Sequence, residues 1–301
     1  MSGFDYKLLS ALSAIIETQS FDLAARKLSI SQSAISQRIK SLEEGIGHPI
    51  LVRRHPIELT AIGEQLLSHY NKVQQLEQEL IPTLLPDVPT KPMKVSLAVN
   101  ADSIATWFIK ALKPVLKEHL VELNLLIEHE ERTLDKLRSG EATGAVSAIE
   151  KPLNGYRSFE LGQMKYCLVS SKSFQRKHFA NGVTKKSLIM APGISYDHKD
   201  AMHERYISKH FGLAASEYYC HRVRSSEAFV ELAKQGVAYC LLPELQIENE
   251  LLSGELVKLC PDKELVGTLY WHSWVLVKGI NKKISQEIIK VGQQQLALGN
   301  K

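Results

Sequence analysis

Prolines at positions 82, 86, 89 and 92 cut the chain into two stretches of different texture. Proline removes a backbone donor and collides with the preceding helical turn, so no helix crosses this segment, which reads as a hinge linker. Before it, apolar residues recur at helical spacing; after it, short apolar β-type runs alternate with helical segments. With 301 residues the chain has length for more than one core, and the proline segment places the boundary.

In the first stretch, Leu8, Leu12, Ile15 and Ile16 predict a helix that Asp5 can cap. A break at Gln19 and Ser20 leads to a second helical run from Phe21 to Leu28. Ser31 then suits the N-cap of a longer amphipathic helix from Gln32 to about Ile46, which Gly47 and Pro49 end. From His48 to Leu59 the weak alternation and two further prolines predict a short hairpin or wing. Thr60 is placed to cap a long helix whose stripe of Leu66, Tyr70, Val73, Leu76 or Glu77, and Leu80 suits pairing with a second subunit.

On the helix from Gln32, Ile35, Ile39, Leu42 and Ile46 keep the rhythm of a core-facing stripe. The other side carries Ser33, Ser36, Gln37 and Lys40, with Gln32 at the tip and Arg38 on a flank. Glutamine can bond bidentately to adenine and lysine or arginine to guanine, while serine serves either base type or phosphate. A polar stripe of this kind also suits a plain solvated face. The close-packing Ala24 and Ala25, the short turn and the basic pair Arg53 and Arg54 favour a reader of the DNA major groove with phosphate contacts from the wing.

Beyond the linker, Val95–Val99, Leu123–Ile127 and Ala145–Ala148 alternate with helical patterns, as do Tyr166–Ser170, Gly193–Tyr196, Cys220–Val223 and Val237–Leu242. This predicts βαβ units and a parallel sheet, in two lobes that the late run Leu269–Val277 and a helix around Lys282–Leu298 complete.

Residues 24–54, AARKLSISQSAISQRIKSLEEGIGHPILVRR, with LTAIGEQLL at 59–67 and GVAYCLLPELQIENELLSGELVKL at 236–259, resemble the LysR-type transcriptional regulators. The resemblance covers nearly the whole chain. It implies an α+β multi-domain protein: a winged helix-turn-helix at 1–59, a dimerising linker helix and hinge at 60–91, and an effector domain at 92–301. That last domain would be two-lobed α/β, like periplasmic binding proteins, with lobe I at 92–161 and 268–301 and lobe II at 162–267. The implied partners are double-stranded DNA, RNA polymerase and further copies of the chain, as a homodimer or homotetramer. The wing departs from the family pattern, because Pro56, Ile57 and Glu58 stand where a further basic residue is common.

Within the family, SLAVNADSIATW at 96–107, GAVS at 144–147, SSEAFVELAKQG at 225–236 and LYWH at 269–272 are similar to the ArgP and LysG subgroup. That likeness implies a response to lysine or arginine and control of basic amino acid export or metabolism. The subgroup's other name, inhibitor of chromosome initiation, keeps an architectural origin-binding role open, as does a family member tuned to another metabolite. An α-carboxylate favours a helix N-terminus such as Asn100–Ser103, with Ser103 as its anchor. The cationic groups need carboxylates, for which Asp102, Glu128, Glu130, Asp197 and Glu227 stand at strand ends, Asp197 foremost; Ser147 completes the expected set. Asp102 and Glu227 equally suit the caps of their own helices. Trp107 and Trp271 fit either a cation–π face or the core.

A net charge of +4 is compatible with a polyanionic partner and decides nothing alone. The four cysteines, Cys167, Cys220, Cys240 and Cys260, form no CxxC pair and read as buried thiols of a reducing compartment, with no metal expected. GxSxG, HExxH, GxGxxG and P-loop patterns are absent, and His129-Glu130-Glu131-Arg132-Thr133 has Thr where a zincin has its second His. The expectation is a cytoplasmic regulator without catalysis or cofactor. The chain's start shows no secretory leader and no apolar run is long enough to span a bilayer.

Overall fold

The structure is a computed structural model, and it describes residues 3–52, 54–84, 92–197 and 200–296. The chain divides into two units, Met1–Leu97 with Leu120–Asn124 and Asp135–Thr143, and Ala98–His119 with Leu125–Leu134 and Gly144–Lys301.

Local signals govern the beginning of the first unit. Helix α1 spans Tyr6–Thr18, its N-cap Asp5 accepting from the Lys7 amide at 2.8 Å. It ends on Gln19, which holds a left-handed φ of 54°. Ser20 caps α2, Phe21–Lys27, and Ser31 caps α3, Gln32–Ile46, which Gly47 terminates in the left-handed conformation. Strands β1, Leu51–Val52, and β2, Glu58–Leu59, pair antiparallel as a wing. Helix α4 then runs Ala61–Leu84, its first turn met by the Thr60 hydroxyl, which accepts from the Gly63 amide at 3.2 Å; it ends two residues beyond Pro82, the expected start of the hinge.

The core of this region joins Leu9, Leu12 and Ile15 of α1, Ala24 and Ala25 of α2 and Ile35, Ile39 and Leu42 of α3 to Ile50 of the wing. Leu66 and Leu67 of α4 are buried in the same core, with Tyr70 packed on its edge. This corrects the dimerisation stripe: the first two turns of α4 serve the core of their own domain, and Leu66 has no surface to offer a partner. Among the described residues of α4, Leu76, Leu80 and Leu84 are apolar and exposed, while Val73 is half-buried. A Cβ on Gly63 would stand 2.2 Å from the Ile50 carbonyl oxygen, so only glycine lets α4 cross the wing this closely.

The remaining elements are β3, Met93–Val99, then α5, Ala101–Ser103, which passes through a π-turn at Ile104–Phe108 into α6, Ile109–Glu118. They continue with β4, Val121–Ile127; α7, Thr133–Arg138; β5, Gly144–Ser147; and β6, Tyr156–Ser171. After these come α8, Lys172–His178; α9, Lys185–Met190; β7, Gly193–Ser195; α10, Ala201–Phe211; and β8, Cys220–Arg222. The chain closes with α11, Ser226–Lys234; β9, Cys240–Pro243; a 3-10 turn at Glu244–Gln246; α12, Glu248–Ser253; β10, Leu256–Lys258; β11, Leu265–Trp274; and α13, Gly279–Gln295.

One sheet has the order β10-β6-β11-β5-β3-β4, with β9 also on β6, and β7 pairs with β8 in a second. The expected parallel sheet needs correction. Strand β6 pairs antiparallel with β11, β9 and β10, and β11 pairs antiparallel with β5, whereas β7–β8 is parallel. The reason is the length of β6, which starts ten residues before the apolar run at Tyr166. It begins with alternating half-buried and exposed residues, Tyr156 to Glu160, and so shows no continuous apolar run there.

Candidate functional site

Helix α3 stands on its apolar stripe, with Ile35 and Ile39 fully buried, and this turns the opposite face outward. Gln32, Ser33, Gln37 and Lys40 are exposed and Ser36 is half-exposed. The tip is ordered from within: the Ser31 hydroxyl accepts from the Ala34 amide at 3.2 Å and lies 2.9 Å from the Ser33 hydroxyl. Gln37 Nε2 reaches Ser41 at 3.4 Å and Lys40 stands 3.7 Å from Glu44, contacts weak enough in solvent to yield to a base or phosphate. Arg38 is half-buried and directed at the Lys7 carbonyl of α1, 3.5 Å away, which suits a brace more than a base contact.

On the wing, Arg53 lies outside the described residues. Arg54 is exposed and forms an ion pair with Glu58. Glu58, one of the wing residues that depart from the family pattern, holds the wing arginine. The wing itself is fastened to α1 by Gln19, whose Nε2 donates to the Ile57 carbonyl at 3.2 Å and whose Oε1 accepts from the Ile57 amide at 2.8 Å.

In the second unit a small concave site gathers polar residues from four places in the sequence, with Leu241 as an apolar wall. Asn100 and Asp102 come from the start of α5, Glu128 to Glu130 from the loop after β4, Tyr196, Asp200 and His203 from around the start of α10, and Ser226 from α11. The Ser226 hydroxyl lies 2.8 Å from Asp102 Oδ1 and 2.8 Å from Gln246 Oε1, tying α11 to α5 and to the 3-10 turn. Asp200 caps α10 through the His203 amide at 3.1 Å and also takes the Tyr196 amide at 2.8 Å. Both side-chain polar atoms of Asn100 are buried and have no protein partner.

Four carboxylates line one small site, and their surroundings set their charge. Burial pushes the Asp102 carboxyl above its usual range; the hydroxyls of Ser226 and Tyr166 pull it back, while Asp200 pushes it further up. Burial likewise raises Glu130, opposed by the neighbouring His129 and by its own backbone amide. His203 is lowered by burial, so its imidazole is neutral near pH 7 and leaves the acids in excess. Burial also raises the Cys220 thiol, to about 12, which keeps it uncharged 3.8 Å from His203. Such a lining is costly when empty and favours a cationic guest.

Two family models divide the chain between them. Residues 6–64 match the bacterial regulatory helix-turn-helix protein of the lysR family, and residues 91–275 match the LysR substrate binding domain. The chain belongs to the LysR family. It is a DNA-binding transcription regulator with a separate effector domain. Among its relatives, the HTH-type transcriptional regulator ArgP of Aeromonas salmonicida is 50% identical over 299 residues, covering 99% of this chain and all of that one. ArgP of Photobacterium profundum is 49% identical, covering 98% and 99%. The crystal structure of ArgP from Mycobacterium tuberculosis superposes with a TM-score of 0.84 at 32% identity, over 99% of this chain and all of that one. Full-length LysG from Corynebacterium glutamicum with bound effector Arg matches with a TM-score of 0.76 at 28% identity, over 98% and 100%.

The effector residues expected in this LysR domain separate into two sets. Asp102 and Glu130 line the pocket. Ser103 is fully buried behind it, and Asn100 takes the place on the pocket wall. The Ser147 hydroxyl is committed to the Glu130 carbonyl at 2.8 Å and to the Ile149 amide at 3.1 Å, so it shapes the wall from behind. Asp197 sits outside the lining, paired with Arg224 at 3.1 Å, and Glu227 is exposed and takes the Ser225 hydroxyl at 2.9 Å. Both are corrections: in each case the neighbouring residue lines the pocket instead, Tyr196 beside Asp197 after β7 and Ser226 beside Glu227 in the first turn of α11. Trp107 and Trp271 are fully buried and belong to the core. Asp200, His203 and Ser226 were missed; the cap pattern at Asp200 and Ser225 was the available signal.

Proposed function

We infer that this LysR regulator reads operator DNA through the exposed face of α3 and the Arg54 wing, and that a basic amino acid, arginine or lysine, is its effector. The observation that carries the effector reading is the pocket itself, in which Asp102, Glu128, Glu130 and Asp200 converge on one site. The arginine described for LysG of Corynebacterium glutamicum and the ArgP name of the full-length relatives support the same ligand class. No cofactor enters this account, and the pocket residues act by binding rather than catalysis. A regulator of this kind works in the cytoplasm, on genes for export or metabolism of basic amino acids, with RNA polymerase as the final partner.

The working species is a homodimer or a pair of dimers. Leu76 and Leu80, apolar and exposed along α4, supply the stripe for a second copy, with Tyr70 and Val73 at its edge. A dimer of reading helices addresses half-sites about one helical turn apart, so the operator is an imperfect inverted repeat. A coupling free energy of about 1–3 kcal/mol between effector and DNA suffices for switching.

The test is selection of bound sequences from a random DNA pool, followed by affinity measurement on the selected site. The expected outcome is an inverted repeat whose affinity changes with arginine or lysine and not with norleucine. Sequence-indifferent binding unmoved by any amino acid would instead favour the architectural role.

A further inference from the structure

The acids around the pocket differ in what already holds them. On the rim, Glu128 accepts from Arg132 at 2.8 Å, Glu131 pairs with Arg205 at 2.5 Å and Asp197 with Arg224 at 3.1 Å. Each rim carboxylate therefore meets a guanidinium of the chain itself. Deeper in, Asp200 gives one oxygen to the Tyr196 amide and the other to the His203 amide. Asp102 takes the hydroxyls of Ser226 and Tyr166.

Glu130 stands apart. It is buried and lines the pocket; its carboxylate takes its own backbone amide, and among the described residues the basic group paired with it is the His129 imidazole, 3.9 Å away. Its backbone is fixed from two elements: the carbonyl accepts from the Thr133 hydroxyl at 3.2 Å, the Ser147 hydroxyl at 2.8 Å and the Ala148 amide at 3.1 Å. The main chain is thus locked by α7 and β5, while the carboxylate meets no guanidinium or ammonium among the described residues and is open to a cationic guest. A preorganised, desolvated acid of this sort discriminates by charge, because the neutral ligand that replaces a cation leaves it buried and unpaired.

We propose that Glu130 makes the pocket select a positively charged side chain, its carboxylate receiving the guanidinium or ammonium end of the effector. The assignment rests on the basic amino acid reading given above and narrows it to one specificity-determining residue.

The experiment is calorimetric titration of the full-length protein with arginine and with citrulline, which carries a neutral urea in place of the guanidinium. The wild type is expected to prefer arginine, and Glu130→Gln to lower arginine affinity by about a hundredfold while citrulline affinity changes little. Collapse of that preference supports the assignment. An equal loss for both ligands places Glu130 against a group the two share, and an undiminished preference removes it from the cation site; either result overturns the proposal. If the wild type binds no arginine, the effector class itself fails, and this assignment with it. A cooperative thermal melt matching that of the wild type checks that Glu130→Gln is folded. Glu130→Asp keeps the charge one methylene short and is expected to retain the preference at reduced affinity; loss of preference there also counts against the proposal.

Discussion

The side-chain amide of Gln19 and the backbone of Ile57 exchange two hydrogen bonds, one in each direction, across 38 positions of sequence. A glutamine here does what a neighbouring strand does in a sheet, and it fixes the wing to the end of α1. Alanine at position 19 removes both bonds and also leaves a Cβ residue at a positive φ without compensation. At about 1 kcal/mol per bond, Gln19→Ala is expected to cost the DNA-binding domain about 2 kcal/mol and to weaken operator binding without touching DNA. Thermal melts and fluorescence anisotropy check it; an unchanged affinity would remove Gln19 from the positioning of the wing.

The Arg54–Glu58 pair makes a prediction of opposite sign. Glu58→Gln releases the wing arginine, so affinity for any duplex should rise and the slope of log affinity against log salt should steepen by up to about one unit. Arg54→Ala should flatten that slope. By contrast, Gln32→Ala and Ser36→Ala, on the face of α3, should lower binding to the operator far more than to random DNA. Equal losses on both DNAs for Gln32→Ala would refute base reading by that residue.

Gly63→Ala tests how the domain is built. The new methyl meets the Ile50 carbonyl at 2.2 Å, and neither backbone can yield without moving the wing or α4. A loss of about 2 kcal/mol or more is expected, with DNA binding abolished and effector binding retained. Simultaneous loss of effector binding would contradict the independence of the two functions.

Much of this organisation is legible in sequence where the signal is local. The caps at Asp5, Ser31 and Thr60 and the stripe Ile35, Ile39 and Leu42 each involve residues within a few positions, and the structure forms them as read. What escaped is long-range. Leu66 lies in the apolar stripe of α4, and periodicity cannot distinguish a core of its own chain from a partner's. Ser226 meets Asp102 across 124 positions, and nothing in the spacing of either announces the other. Asp197 was favoured for following an apolar strand, with Glu227 among the further candidates; the residues beside them, Tyr196 and Ser226, are the ones that line the pocket.

The raised Asp102 carboxyl has a pH consequence. Its folded value lies above the ordinary 3.8, so its contribution to stability is fully present below that value and is lost as pH rises through the folded one. Without effector, Asp102→Asn should therefore gain melting temperature relative to the wild type as pH increases, and the gap should close in acid. A gap independent of pH would show that Asp102 carries no such burden. Arginine binds the ionised acids, so its affinity for the wild type should begin to fall at a pH above the ordinary carboxylate range of about 4.

The central claim is that an acidic pocket in a LysR effector domain reads a basic amino acid. Calorimetric titration of the full-length protein with arginine, lysine and norleucine addresses it most directly. Saturable binding of arginine or lysine, with norleucine silent, is the result this account predicts. Norleucine binding as well as the basic pair, or no binding of either basic amino acid, would contradict it.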